Sequence, residues 1–119
     1  MDNFTLVRPE HLNHHGYLFG GVMLKWIDEN AWMAASREYH GCNLVTIGME
    51  DIRFKHRVDN GAILRFSTNR QQQRKTSVTY SVEVYADAPG ANAEKEVFST
   101  RVTFVRLNDS GRPIPLPTG

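Results

Sequence analysis

Between Gly20 and Tyr39 the chain reads GGVMLKWIDENAWMAASREY, and no other stretch limits the possible folds so strongly. At about 100° per residue, Val22, Trp26 and Met33 open an apolar arc. Met23, Ile27, Ala34, Ala31, Leu24 and Ala35 carry it round more than half of the circumference. Lys25, Glu29 and Ser36 occupy the narrow remainder. An ordinary surface helix buries only a stripe, so this one has to be wrapped on several sides. Gly41, just after His40, supplies a helix stop.

The wrapping has to come from the residues after Cys42, all of which read as strand. Ser77 to Tyr85 alternates, with Val78, Tyr80, Val82 and Val84 on one face, and Glu96 to Leu107 alternates with Phe98, Val102 and Phe104 together. Leu44 to Val58 reads as a longer strand in which Gly48 marks a bulge or a close backbone approach. Asp59-Asn60-Gly61 is a tight-turn signal joining it to a strand over Ala62–Asn69. Gln71-Gln72-Gln73 marks an exposed strand end, Asp87–Ala93 a longer loop, and Pro113-Ile114-Pro115-Leu116-Pro117 an extended tail. One long buried helix followed by four long antiparallel strands gives an α+β domain whose curved sheet encloses the helix. Such a sheet has open edges, which oligomerisation usually covers.

With 119 residues the chain has material for one domain. A net charge of +1 lacks the basic excess of a nucleic-acid surface. No apolar run approaches a membrane span, and the first residues have no signal-peptide character. Cys42 is the lone cysteine, which fits a reducing compartment, so the expected location is cytoplasmic.

The chemistry centres on the helix start. In Asn13-His14-His15-Gly16-Tyr17-Leu18-Phe19-Gly20-Gly21 a loop with a glycine pair runs into the helix, whose first amides have no internal partner and face whatever lies over them. Without Cβ atoms, Gly20 and Gly21 let a carbonyl approach those amides as in an oxyanion hole; they equally suit a tight turn. Asp28, about two turns in, sits at the border of the apolar arc beside Leu24, Ala31 and Ala35. Partial desolvation there suits a general base or carboxylate nucleophile, and a solvated helix-face aspartate is an equal reading. Asn13 can hydrogen-bond a carbonyl or a water, or satisfy its own loop. His11, His14 and His15 match no usual zinc spacing, so no metal site is expected. Cys42 with His40 as base lacks a third orienting group. Lys55, Arg57, Arg70, Arg74 and Lys75 form a solvated face or, if they converge, a phosphate site, with Thr76-Ser77 hydroxyls alongside.

These pieces together resemble the acyl-CoA thioesterases of the hot-dog superfamily. The resemblance rests on Asn13-x-x-Gly16-x-x-Phe19-Gly20-Gly21 followed by Ile27-Asp28-Glu29. Further on come Val45-Thr46, Asp51-Ile52-x-Phe54, Gly61, Thr76-Ser77-Val78, Val82-Glu83-Val84, Thr103-Phe104-Val105 and Pro113-x-Pro115-x-Pro117, in the expected order. It covers nearly the whole chain. It implies a single hot-dog domain over residues 1–119, assembled as a homodimer and then a tetramer or hexamer, with acyl-CoA as substrate. No cofactor is implied beyond CoA as part of substrate and product. By the resemblance Asp28 would be base or nucleophile, Asn13 would orient thioester or water, and a Gly20 or Gly21 amide would polarise the same carbonyl. The Asn13 loop would serve the neighbouring subunit's helix. Phe19 and Phe54 would line the substrate path, with Thr76 and Ser77 on the CoA side and Arg74 and Lys75 on its phosphates. The chain departs from the pattern at Phe54-Lys55-His56-Arg57-Val58, where members often carry a proline. A non-catalytic acyl-CoA-binding module on the same fold is the alternative, and a dehydratase ranks last because no histidine lies in a matching motif.

Overall fold

The computed structural model describes residues 1–118. The amphipathic segment forms one helix, α1 (Gly20–Glu38), which ends at Tyr39 with its N–H on the Ala35 carbonyl. Gly41, at φ +76°, takes the left-handed conformation that turns the chain away. Five strands follow the alternation: β1 (Asp2–Leu6), β2 (Asn43–Phe54), β3 (Ile63–Gln73), β4 (Ser77–Asp87) and β5 (Lys95–Leu107). They form one antiparallel sheet in the order β1-β3-β4-β5-β2, with α1 packed on β2 to β5.

Met23, Ile27, Ala31, Ala34 and Ala35 face the sheet and are buried. They meet Phe66 of β3, Val78, Tyr80, Val82 and Val84 of β4, and Phe98, Val102 and Phe104 of β5, all fully buried. The three alanines keep the helix surface flat there, so the sheet's aromatic side chains fill the gap.

Three features differ from the sequence reading. The Asp59-Asn60-Gly61 turn forms, with the Ala62 N–H on the Asp59 carbonyl. It does not close a hairpin, since β2 pairs with β5 and β3 with β1 and β4. Turn chemistry fixes where a chain reverses, whereas pairing is decided by which faces can be buried together. Second, β1 joins as a fifth strand, with Phe4 opposite Arg65. Third, β2 stops at Phe54 and leaves Lys55 to Val58 outside the sheet. The bulge expected at Gly48 is present as a register shift between Thr46 and Gly48; another falls between Glu50 and Arg53, around Asp51 at φ +57°.

The wrap is also less complete than the arc requires. Trp32 and Met33 remain 48% and 40% exposed on α1. With Val45 and Ile47 of edge strand β2, they leave apolar surface uncovered in a single chain.

Candidate active site

Asp28 projects from the half-covered side of α1. The Thr46 hydroxyl of β2 donates a 2.7 Å hydrogen bond to its Oδ1, which fixes the carboxylate's direction; Oδ2 has no hydrogen-bond partner among the described residues. Sequence reading placed Val45-Thr46 in a motif and gave it no role. The bulge after Thr46 breaks the alternation that would have shown which way its side chain points. The carboxylate opens onto a groove of about 650 Å³ with Asn3, Phe4 and Thr5 of β1 on one side and Trp26, Trp32 and Met33 of α1 on the other. Asn30 is buried beneath it, donating to the Trp26 carbonyl at 2.7 Å and accepting from Asn3 Nδ2 at 2.7 Å. That pair ties β1 to the helix two residues from Asp28. Neither asparagine carried a sequence signal, because each needs the unforeseen strand to have a partner.

The helix start is a separate place. Phe19 precedes α1 without a side-chain cap. Its carbonyl accepts from the Val22 and Met23 amides, while those of Gly20 and Gly21 have no acceptor among the described residues. The glycines also have a packing reason. A Cβ on Gly20 would lie 3.4 Å from the Phe54 ring, and one on Gly21 would lie 3.0 Å from the Phe19 ring. Both rings stand largely in solvent, Phe19 55% and Phe54 60% exposed, and Phe54 is held edge-on to Phe98 at 4.7 Å. Phe19, Gly20, Gly21 and Phe54 are thus brought together. Beside them a cavity of about 240 Å³ is rimmed by Lys55, His56 and Arg57.

Asn13 holds its own loop and keeps a free donor. Its Oδ1 accepts from the His15 and Tyr17 amides at 2.9 and 3.2 Å, and Gly16 at φ +85° closes the turn. Its Nδ2 has no partner among the described residues. The loop is fastened to the helix start through the Phe19 N–H on the His11 carbonyl, 2.9 Å. His14 and His15 lie against each other at 3.9 Å, and His11 lies edge-on to Trp26. Cys42 Sγ leans on the His40 carbonyl, not on its ring.

The structure does not bring all the expected residues to one point. Gly20 and Asp28 lie eight positions apart on α1, about 12 Å along the axis, and open onto different cavities. Within one chain, a single carbonyl cannot touch both. Arg74, Lys75, Thr76 and Ser77 form the β3–β4 turn, where the Arg74 N–H bonds the Ser77 carbonyl at 2.8 Å. That turn stands at the far end of α1. Tyr39 donates to Gln73 Oε1 at 2.5 Å, and Arg70 donates to Tyr39 at 2.9 Å, so Arg70 is committed to the fold. The turn lies about 28 Å from Gly20 along a helix of this length.

A family model of the thioesterase superfamily matches residues 15–93, which include the glycine pair, Asp28, Thr46 and the β3–β4 turn. The chain belongs to that superfamily. Among its relatives is the cytosolic acyl coenzyme A thioester hydrolase of Rattus norvegicus, 32% identical over 94% of this chain. The chain spans less than a third of the length of that relative, 30%. A hexameric hotdog fold thioesterase of Campylobacter jejuni superposes with a TM-score of 0.85 at 31% identity, covering 97% of this chain and 88% of that one. The acyl-CoA hydrolase of Staphylococcus aureus, solved with butyryl coenzyme A, coenzyme A and coenzyme A disulfide, gives 0.88 at 27% identity, covering 98% and 71%. The fold is therefore the superfamily's hot-dog fold, with the helix enclosed by the antiparallel sheet. Among the described residues no helix is long and apolar enough to cross a membrane.

Proposed function

We propose that this chain hydrolyses acyl-CoA thioesters to a free acid and CoA, at sites completed by two copies. The observation that carries the reading is the Asp28 carboxylate, held by Thr46 in an aromatic-walled groove, together with unpaired amides at the start of the same helix. The separation of those two parts argues for regrouping them across an interface. The Asn13 loop and helix start of one copy face Asp28 of its partner. A Gly20 or Gly21 amide then polarises the thioester carbonyl, and the free Nδ2 of Asn13 donates to the carbonyl or the water. Asp28 either takes a proton from water, which attacks the carbonyl carbon, or attacks it directly to give an anhydride that water opens. In both routes the C–S bond breaks, CoA leaves as thiolate and is protonated, and the acid is released. The two phenyl rings border the substrate path. The β3–β4 turn of the partner, at the opposite end of its helix, offers Arg74, Lys75, Thr76 and Ser77 to the CoA side.

The exposed Trp32, Met33, Val45 and Ile47 support a homodimer joined along β2, and hexamers are the form of the Campylobacter jejuni and Yersinia pestis neighbours. An aspartate, an asparagine and a threonine are the positions changed to alanine in solved variants of the Staphylococcus aureus enzyme, the residue types of Asp28, Asn13 and Thr46. The reading includes a single domain over 1–119, a cytoplasmic location and no cofactor beyond CoA itself. Thiol release measured across short, branched, aromatic and long acyl-CoA esters tests it. Turnover that Asp28→Asn removes is the expected result, whereas saturable CoA-ester binding with no thiol released from any ester leaves the non-catalytic binder.

A further inference from the structure

Among the described residues, those lining the Asp28 groove include two carboxylates, Asp28 and Glu29, and no lysine, arginine or histidine. Other cavities of the chain each carry a cation: Lys55 and Arg57 beside Gly20, Arg37 and Arg70 beside Thr68, and Arg101 beside Glu83. The hydrolysis needs only one carboxylate, and Asp28 supplies it. Glu29 is exposed and enters no ion pair among the described residues, not even with Lys25 one turn earlier on α1. Its charge is therefore left to act on whatever occupies the groove.

The neutral polar groups of the groove act in the same sense. Asn3 and Asn30 each commit an Nδ2 donor inside the protein, to Asn30 Oδ1 and to the Trp26 carbonyl. Asn3 Oδ1 has no partner among the described residues, so it adds an acceptor beside the two carboxylates. Trp26, Trp32 and Met33 form the apolar part of the lining. Charge of one sign over low-dielectric walls keeps its field inside a cleft. A hydrocarbon chain laid there is indifferent to that field, whereas a terminal carboxylate is repelled and a terminal ammonium attracted.

We infer that Glu29 is a specificity residue that sorts acyl groups by the charge at their far end. Neutral and amine-ended acyl groups enter the groove, and carboxylate-ended ones are turned away. The inference rests on the thioesterase reading, which lays the acyl group against Asp28. Because Glu29 is exposed, solvent screens it, and one charge is worth roughly three- to fivefold at low salt. Added salt should shrink that factor.

The test compares butyryl-, succinyl- and β-alanyl-CoA, which share the same spacer and end in a methyl, a carboxylate and an ammonium. Each kcat/KM is read as a ratio to that of butyryl-CoA, so a general loss of activity in a variant cancels. The assay is run at about pH 8, so that the His14-His15 pair of the facing loop adds no cation. Glu29→Gln should raise the succinyl ratio roughly three- to fivefold and lower the β-alanyl ratio by a similar factor. Glu29→Lys should move both ratios further in the same senses, and high salt should draw the three esters of the parent chain together. Unchanged ratios in both variants, or succinyl and β-alanyl ratios that move together, would overturn the role of Glu29. Absence of thiol release from every ester would sink the thioesterase reading, and calorimetry with the same three esters would then judge the charge sorting alone. Affinities ordered by terminal charge and reordered by Glu29→Lys would uphold it, and affinities without that order would overturn it as well.

Discussion

At its start α1 has, among the described residues, no side-chain cap, two amides without acceptors and two phenyl rings standing in solvent. At its end Arg70, Tyr39 and Gln73 form a chain of hydrogen bonds that continues from Gln73 Nε2 to the Pro117 carbonyl, and Tyr80 donates to Glu38. The C-terminal tail is drawn into the same knot through buried Leu116, whose N–H bonds the Lys75 carbonyl at 2.8 Å. A fold needs both ends of a helix satisfied. Here polar groups are spent freely on one end and withheld from the other, so the helix's own amides are kept available only at its start.

The sharpest break of that comparison lies between the two ends. Asp28→Asn should lower turnover by about 10²–10⁴-fold, the usual contribution of a positioned acid or base, with the thermal midpoint unchanged because Thr46 can still donate to the amide oxygen. A variant that loses both activity and stability would mean that the carboxylate serves the fold. At the far end, Tyr80→Phe should act in the opposite sense. It removes a fully buried hydroxyl and leaves Glu38 without its donor, at a cost of about 1–3 kcal/mol in denaturant titration, while kcat stays at the parent value. Gly21→Ala should split the two properties at the start. Alanine favours the helix, so stability should hold, but the new methyl displaces the Phe19 ring at 3.0 Å and should reduce kcat/KM roughly tenfold, ~1.4 kcal/mol. The smallest effect is on pH dependence. Burial, reinforced by the Glu38 hydrogen bond, pushes the Tyr80 hydroxyl far above the usual tyrosine range. Its contribution is fully present below about pH 10, where the unfolded tyrosine is also protonated. Above that pH the unfolded chain ionises alone, so stability falls and its contribution is lost as pH climbs toward the folded value. The parent chain should therefore lose stability above about pH 10 more steeply than Tyr80→Phe, by about one proton's slope, measured by chemical denaturation between about pH 8 and 11.

What could be read in the sequence was what is local. The helix, its Gly41 stop, the alternation of β4 and β5 and the exposed end at Gln71–Gln73 each follow from periodicity or turn chemistry within a few residues. The order of the strands was not legible, because Asp59-Asn60-Gly61 carries the residues of a hairpin turn yet connects opposite regions of the sheet. β1 has only five residues, too few for alternation to stand out, and with it went Asn3, the partner of buried Asn30. At the site, Asp28 and the glycine pair were found as residue types in a pattern. Their distance apart follows from the helix once its length is fixed, and it moves the expected meeting point from one chain to two.

The two tryptophans border the Asp28 groove in different surroundings. Trp26 is pressed edge-on against His11 and Phe66, while Trp32 is half open with its indole N–H on the Leu44 carbonyl at 3.3 Å. The groove thus carries its own optical probe. Filling it, by an acyl chain or by a second copy, should shift Trp32 emission to the blue, with the more enclosed Trp26 as the steadier reference. Occupancy and assembly can then be followed in unlabelled protein by the light of one side chain.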